Sequence, residues 1–95
     1  MLLNIIRPGE IISVKLTTGE EVIGKLSEDV ADKLVLDRPV VLTAAPQGMA
    51  LVPYLMTADP ENQVIHFSKG HVIATSKTQD NLAKQYTQQT TGIVV

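Results

Sequence analysis

His66 and His71 are the residues best suited to proton transfer or metal ligation in this 95-residue chain. Neither has the company such chemistry needs. No HExxH pairing surrounds them, and no third acid stands where it would orient an imidazole. His66 and Ser68 share a strand face, but neighbours two apart do not normally hydrogen-bond, and no GxSxG elbow is present. The chain has no cysteine, which removes thiol nucleophiles, redox pairs and zinc ribbons. Glu28, Asp29 and Asp32 crowd one polar segment, but no glycine-shaped loop folds them around an ion, so they read as solvated carboxylates. The glycines form neither GxGxxG nor a phosphate-binding loop. The expectation is a protein that is not an enzyme and uses no metal and no cofactor. What remains is electrostatic: Lys33 and Lys69 are point charges able to meet a phosphate.

Those lysines sit in a chain with eight Lys+Arg against ten Asp+Glu, a balance that argues against a bulk electrostatic grip on nucleic acid. The only aromatic residues are Tyr54, Phe67 and Tyr86, too few for a multi-ring stacking platform. With 44% apolar and 19% charged residues, the composition is that of a folded domain, and the length suits one domain with a modest core. The longest apolar stretch, around residues 51–56, is interrupted by Pro53 and falls far short of a membrane span. The apolar start, residues 2–6, is cut off by Arg7-Pro8-Gly9 and has neither a basic leader nor a small-residue cleavage site, so a cytoplasmic location is expected.

The elements that must position the candidate residues are mostly strands. After the Pro8-Gly9 turn, Ile12, Val14 and Leu16 alternate with Ser13, Lys15 and Thr17, the period of a half-buried strand. Thr18-Gly19-Glu20 reverses the chain, and Val22, Gly24 and Leu26 share one face of the next strand. Residues 27–32 read as a polar loop. Leu34, Leu36, Val40 and Leu42 then mark one face of a third strand, bent or left unpaired at Pro39. Ala45-Pro46-Gln47-Gly48 closes it. Residues 49–58 read as a fourth strand with Pro53 at an edge or bulge, and Asp59-Pro60-Glu61-Asn62 as a strong turn. Short strands follow over 64–67 and 71–75. From Ser76 the sequence becomes helix-compatible, with Ser76 and Gln79 at capping-box spacing or Thr78 as the cap. Leu82 and Tyr86 form a narrow stripe that must dock to hold the helix, and Gly92 is its expected stop.

Val14-Lys-Leu-Thr-Thr-Gly19-Glu-Glu-Val22-Ile-Gly24-Lys-Leu26, followed by Leu34-Val35-Leu36, resembles the first signature of the Sm-like (LSm) family. Lys69-Gly70-His71-Val72-Ile73 is similar to its second signature, usually Arg-Gly-Asn followed by an aliphatic residue. The length, the tail helix and Thr90-Thr91-Gly92-Ile93 resemble Sm-like proteins carried by bacterial viruses. The resemblance implies an all-β fold: a small, strongly bent five-stranded antiparallel barrel over 10–76, preceded by a segment 1–9 and followed by a helix 77–91, in one domain spanning 1–95. Gly19, Gly24 and Gly70 take the family's turn and bend positions, and a sharply bent inner face at Gly24 has no room for a side chain. By the same resemblance the chain forms a homo-oligomeric ring of about five to seven subunits by pairing its fourth strand with the next subunit's fifth, as closed symmetry allows. Asp32, Lys33, Lys69 and His71 would face the pore and bind single-stranded RNA. The family's usual aromatic-Asp and Met-Asn pairs are replaced by Asp29-Val30-Ala31-Asp32-Lys33, with no ring to stack a base, so uridine specificity is not expected. A ring serving structure or protein interaction without RNA is the rival expectation.

Overall fold

A computed structural model describes residues 6–91, with the side chain of Thr91 excepted. The expected stop at Gly92 and the apolar residues 2–5 lie outside this range. Within it, the chain forms an antiparallel six-stranded sheet and one helix. β1 is Ile11–Leu16, β2 Glu21–Asp29, β3 Lys33–Ala45, β4 Gly48–Pro53, β5 Val64–Ser68 and β6 Val72–Lys77; the helix α1 is Asp80–Thr91. A single 3-10 turn, Lys69–His71, joins β5 to β6.

The β1–β2 hairpin follows the alternation of the sequence. Ile12, Val14, Leu16, Val22 and Leu26 are all buried in one cluster, while Lys15 and Lys25 stay exposed. Gly19 has φ +104°, with open space where a Cβ would stand, so the tight reversal needs glycine for its backbone and not for room. β2 runs on to Asp29 where a polar loop was expected to begin at Ser27. Strand pairing is made by the backbone, and the pairs Glu28↔Val35 and Asp29↔Leu34 hold the polar end in the ladder.

The sheet order is β4-β3-β2-β1-β6, with β5 also on β3. β2 occupies one edge of β3 from Leu34 to Val41. On the opposite edge, β5 takes residues 33–37 and β4 takes residues 40–45. Six strands, the number of strand segments read along the sequence, therefore occupy five places across the sheet, where the family resemblance implied five strands. The fourth strand, expected over 49–58, stops at Pro53. Its continuation leaves the sheet opposite Arg38-Pro39 and returns as β5. Pro39 has no N–H to offer a partner there, and its carbonyl accepts the Tyr54 N–H at 2.9 Å while the Arg38 N–H reaches the Gln63 carbonyl at 2.7 Å. The excursion carries the expected turn: the Asn62 N–H bonds the Asp59 carbonyl at 3.1 Å, and the Asp59 side chain accepts the Glu61 N–H at 2.9 Å.

Gly24 faces the bend. The register steps from Ile23↔Val40 to Lys25↔Asp37, so β3 carries an extra residue opposite Gly24. An added Cβ at Gly24 would meet Leu36 Cβ at 3.1 Å and Pro39 Cα at 3.4 Å. Arg38 takes φ +52° to make the turn. The extra residue also swaps the faces of β3. Leu34 and Leu36 belong to the cluster with Ile12 and Phe67, but Val40 and Leu42 join Ile23, Leu51 and Tyr86 on the other face, and Val41 takes the inner side. The expectation that Leu34, Leu36, Val40 and Leu42 share a face fails for that reason.

The helix covers the second face. Leu82 and Tyr86 are its docking stripe, as their i,i+4 spacing suggested, and Tyr86 is 3% exposed. Its start differs from the sequence reading of 77–91. Ser76 and Lys77 belong to β6, and the buried Thr78 spends its hydroxyl on Ser13 at 2.8 Å instead of on a cap. The carbonyl of Gln79 accepts the Ala83 N–H at 2.9 Å, so the helical bonding begins there. Among the described residues the strand pairing does not close the sheet: β6 pairs with β1 alone, and β4 and β5 with β3 alone.

Candidate nucleic-acid interface

The four residues singled out for RNA contact are distributed over two neighbouring places. Asp32 sits in the β2–β3 turn, which is closed by the Val30 N–H on the Lys33 carbonyl at 3.1 Å. Lys33 opens β3 opposite Ser68, and the Lys69 N–H bonds the Asp32 carbonyl at 3.1 Å. Three of the four, Asp32, Lys33 and Lys69, are thereby gathered at one end of the sheet, although 36 positions separate Lys33 from Lys69 in the chain. The ladder between β3 and β5 is what brings them together.

Lys69 is not a bare charge. Its Nζ pairs with the carboxylate of Asp29, which the sequence places in a solvated polar segment. Both partners are more than a third exposed, so the pair is worth about 0–1 kcal/mol and opens readily to a competing phosphate. Asp29 and Asp32 offset Lys33 and Lys69, leaving this end of the sheet charge-balanced. Lys33 is half-buried, and among the described residues it makes no ion pair. The signal that could have found Asp29 was its position: in a strand that continues to 29, it comes level with Leu34, one residue past Lys33.

His71 points to a different neighbour. Its carbonyl accepts the Thr17 N–H at 2.9 Å, and its Nδ1 lies 3.4 Å from the Thr17 hydroxyl, at the long limit of a hydrogen bond. It borders a cleft of about 370 Å³ with Thr17, Thr18, Tyr54, Phe67 and His66. Gly70, in the 3-10 turn between Lys69 and His71, has the Ser68 hydroxyl 3.7 Å from where its Cβ would be, an ordinary contact. No three His, Asp or Glu side chains among the described residues converge in a way that could hold a metal ion. No helix among them is long and apolar enough to cross a membrane.

No protein-family model matches this sequence, and no curated protein matches it. The function therefore rests on the geometry above and on the motif resemblance.

Proposed function

We propose that the chain is a non-enzymatic, Sm-like ring-forming protein that binds single-stranded RNA through the sheet end carrying Asp32, Lys33 and Lys69, with His71 beside it. The observation that supports RNA contact most directly is the Lys69 N–H to Asp32 carbonyl bond together with the Lys33↔Ser68 pairing, which bring two lysines from distant segments to the same end of the sheet. Repeated around a ring, two lysines per subunit would gather their charge in one annulus. Asp29 and Asp32 offset that charge, yet a phosphate can compete for the lysines there, because a polyanion responds to the local field more than to the net charge of −2. Ring closure has its own support. The outer edges of β4, β5 and β6 have no partner strand among the described residues, and in a five-place sheet β4 and β5 together stand in the fourth place and β6 in the fifth. Closing the bent sheet into a barrel belongs to the same reading.

The carboxylates Asp29 and Asp32 make the affinity weak, and the binding shallow in its salt dependence, about −0.7 in log K per log salt for each phosphate contacted on a single strand. The test is RNA binding by the purified oligomer across a salt series. Replacing Lys33 and Lys69 together by Ala weakens binding of all sequences equally and leaves assembly intact. Absence of RNA binding by the unaltered protein at low salt would reject RNA recognition. The Asp29–Lys69 ion pair would then be a structural tie, and the ring would serve protein interaction.

A further inference from the structure

We propose that the cleft between the β1–β2 turn and Tyr54 is a nucleobase-binding site, its floor the Tyr54–Phe67 ring pair and its rim Thr17, His66, Ser68 and His71. This deepens the RNA reading and rests on it for the biological ligand, but it is carried by observations of its own. The segment 29–33 has no aromatic residue to stack a base. The fold supplies one from elsewhere. Tyr54 is the first residue after β4, and its N–H bond to the Pro39 carbonyl fixes where the chain leaves the sheet. From there its ring lies 5.1 Å from that of Phe67, tilted by 45°, with Phe67 buried and Tyr54 half-buried. Tyr54 therefore backs onto a fixed ring and keeps part of its own surface open, which is what a stacking platform needs.

The lining decides the class of ligand. The cleft, about 370 Å³, is within the usual range for small-molecule sites of about 300–1,000 Å³. Leu16, Leu55 and Ile65 complete its apolar wall, and among the described residues no Lys, Arg, Asp or Glu lines it. With no permanently charged side chain and an aromatic floor, the lining suits an uncharged, flat group. Imidazoles and hydroxyls at the rim offer both donors and acceptors, as the edge of a heterocyclic base requires. Ser68 and His71 border the cleft, and the residue that follows Ser68 is Lys69, at the charge-balanced end of the sheet. A nucleotide would place its base in the cleft and leave its phosphate outside it; Lys69 itself borders a separate cavity, with Asp29, Leu34 and Val72. The site carries no fixed donor–acceptor pair from an amide side chain, so it discriminates weakly among bases.

A nucleoside, having no phosphate, separates the cleft from the lysines. Adding millimolar adenosine or uridine to the full chain is expected to move the ring NMR resonances of Tyr54, Phe67 and His71, equally in the unaltered protein and in the K33A/K69A variant. No movement of these resonances would overturn the proposal, whatever the RNA result. A second comparison uses a short single-stranded RNA and its abasic counterpart. The base-bearing strand is expected to bind about tenfold more tightly, an advantage lost in Tyr54→Ala and kept in Tyr54→Phe. Equal binding of the two strands would overturn the base site and leave the lysine contacts standing. A nucleoside response without RNA binding would leave the cleft standing and reject the RNA reading. If Tyr54→Ala instead shrinks the oligomer while unaltered protein ignores nucleosides, the cleft is a contact between copies and the proposal fails.

Discussion

At the scale of single residues, Gly24 and Tyr86 sit on opposite sides of the same bend. Gly24 was legible because alternation placed it inward between Val22 and Leu26, and the 3.1 Å approach of Leu36 Cβ to its missing Cβ gives the physical reason. Gly24→Val is expected to cost about 1–3 kcal/mol through overpacking, read from the denaturant midpoint. Gly70→Ala, with only an ordinary contact to meet, is the fitting control; Gly48 is not, because its φ of +127° would strain any replacement. Tyr86 was legible as a docking residue but not as a polar link. Its hydroxyl donates to the Asp37 carbonyl at 2.5 Å and accepts the Lys25 N–H at 3.1 Å, and nothing in local spacing announces partners 49 and 61 positions away. Burial pushes its phenol up to about 12, so the folded state holds the proton more tightly than the unfolded chain. That contribution is complete below pH 10 and is lost as pH rises from about 10 to about 12, by about 2 kcal/mol. Tyr86→Phe should flatten this alkaline loss in pH-dependent unfolding, while costing about 1–2 kcal/mol at neutral pH for the bonds removed.

At the scale of elements, the strands were readable from period-two alternation wherever they stay in one register, and unreadable where they change it. β1 alternates, and in β2 Val22, Gly24 and Leu26 keep one face while Ile23 is buried on the other. β3 reads as one face through Val40 and Leu42 only if no residue is inserted, and Arg38 inserts one. Pro39 signalled trouble but not its kind, since a proline marks an edge, a bulge and a bend alike. The candidate interface was partly legible for a related reason: Lys33 and Lys69 carry recognisable motif positions, whereas Tyr54 joins the cleft through an excursion whose return point no periodicity predicts. The helix depends on the inserted residue as well, because the face swap is what gives it Val40 beside Ile23 and Leu51 to cover. Tyr86→Ala should therefore detach α1 as a unit, at a cost of about 3–5 kcal/mol typical of a buried aromatic truncation. Hydrogen exchange should report loss of protection across Asp80–Thr91 before the β1–β2 hairpin opens. Simultaneous loss in both would show that helix and sheet unfold as one and that docking is not separable.

At the scale of the whole molecule, the unresolved demand is at the two edges. β6 is exposed at five of its six positions, and Ile73 is 62% exposed; Val64 on β5 and Met49 on β4 are exposed on the other edge. Apolar side chains on unpaired strands invite a further strand, and a lone chain would need charges or prolines to refuse one. Pro53 gives that protection only at the end of β4, and Lys77 at the end of β6 is tied to Glu10 at 3.2 Å. Among the described residues the middle of each edge is unguarded. Pairing β6 of one copy with β4 and β5 of the next is a head-to-tail contact, which closes into a ring when the rotation per copy divides a full turn and otherwise grows into a filament. In the proposed ring, the bend at Gly24 and Arg38 would set that rotation. The purified protein is expected to sediment as one discrete species of about five to seven chain masses. Ile73→Lys, which places a charge mid-edge, should shift it to monomer without unfolding the sheet. A monomer for the unaltered chain at micromolar concentration would refute the ring, and a species that keeps growing with concentration would mean that the edges pair but do not close.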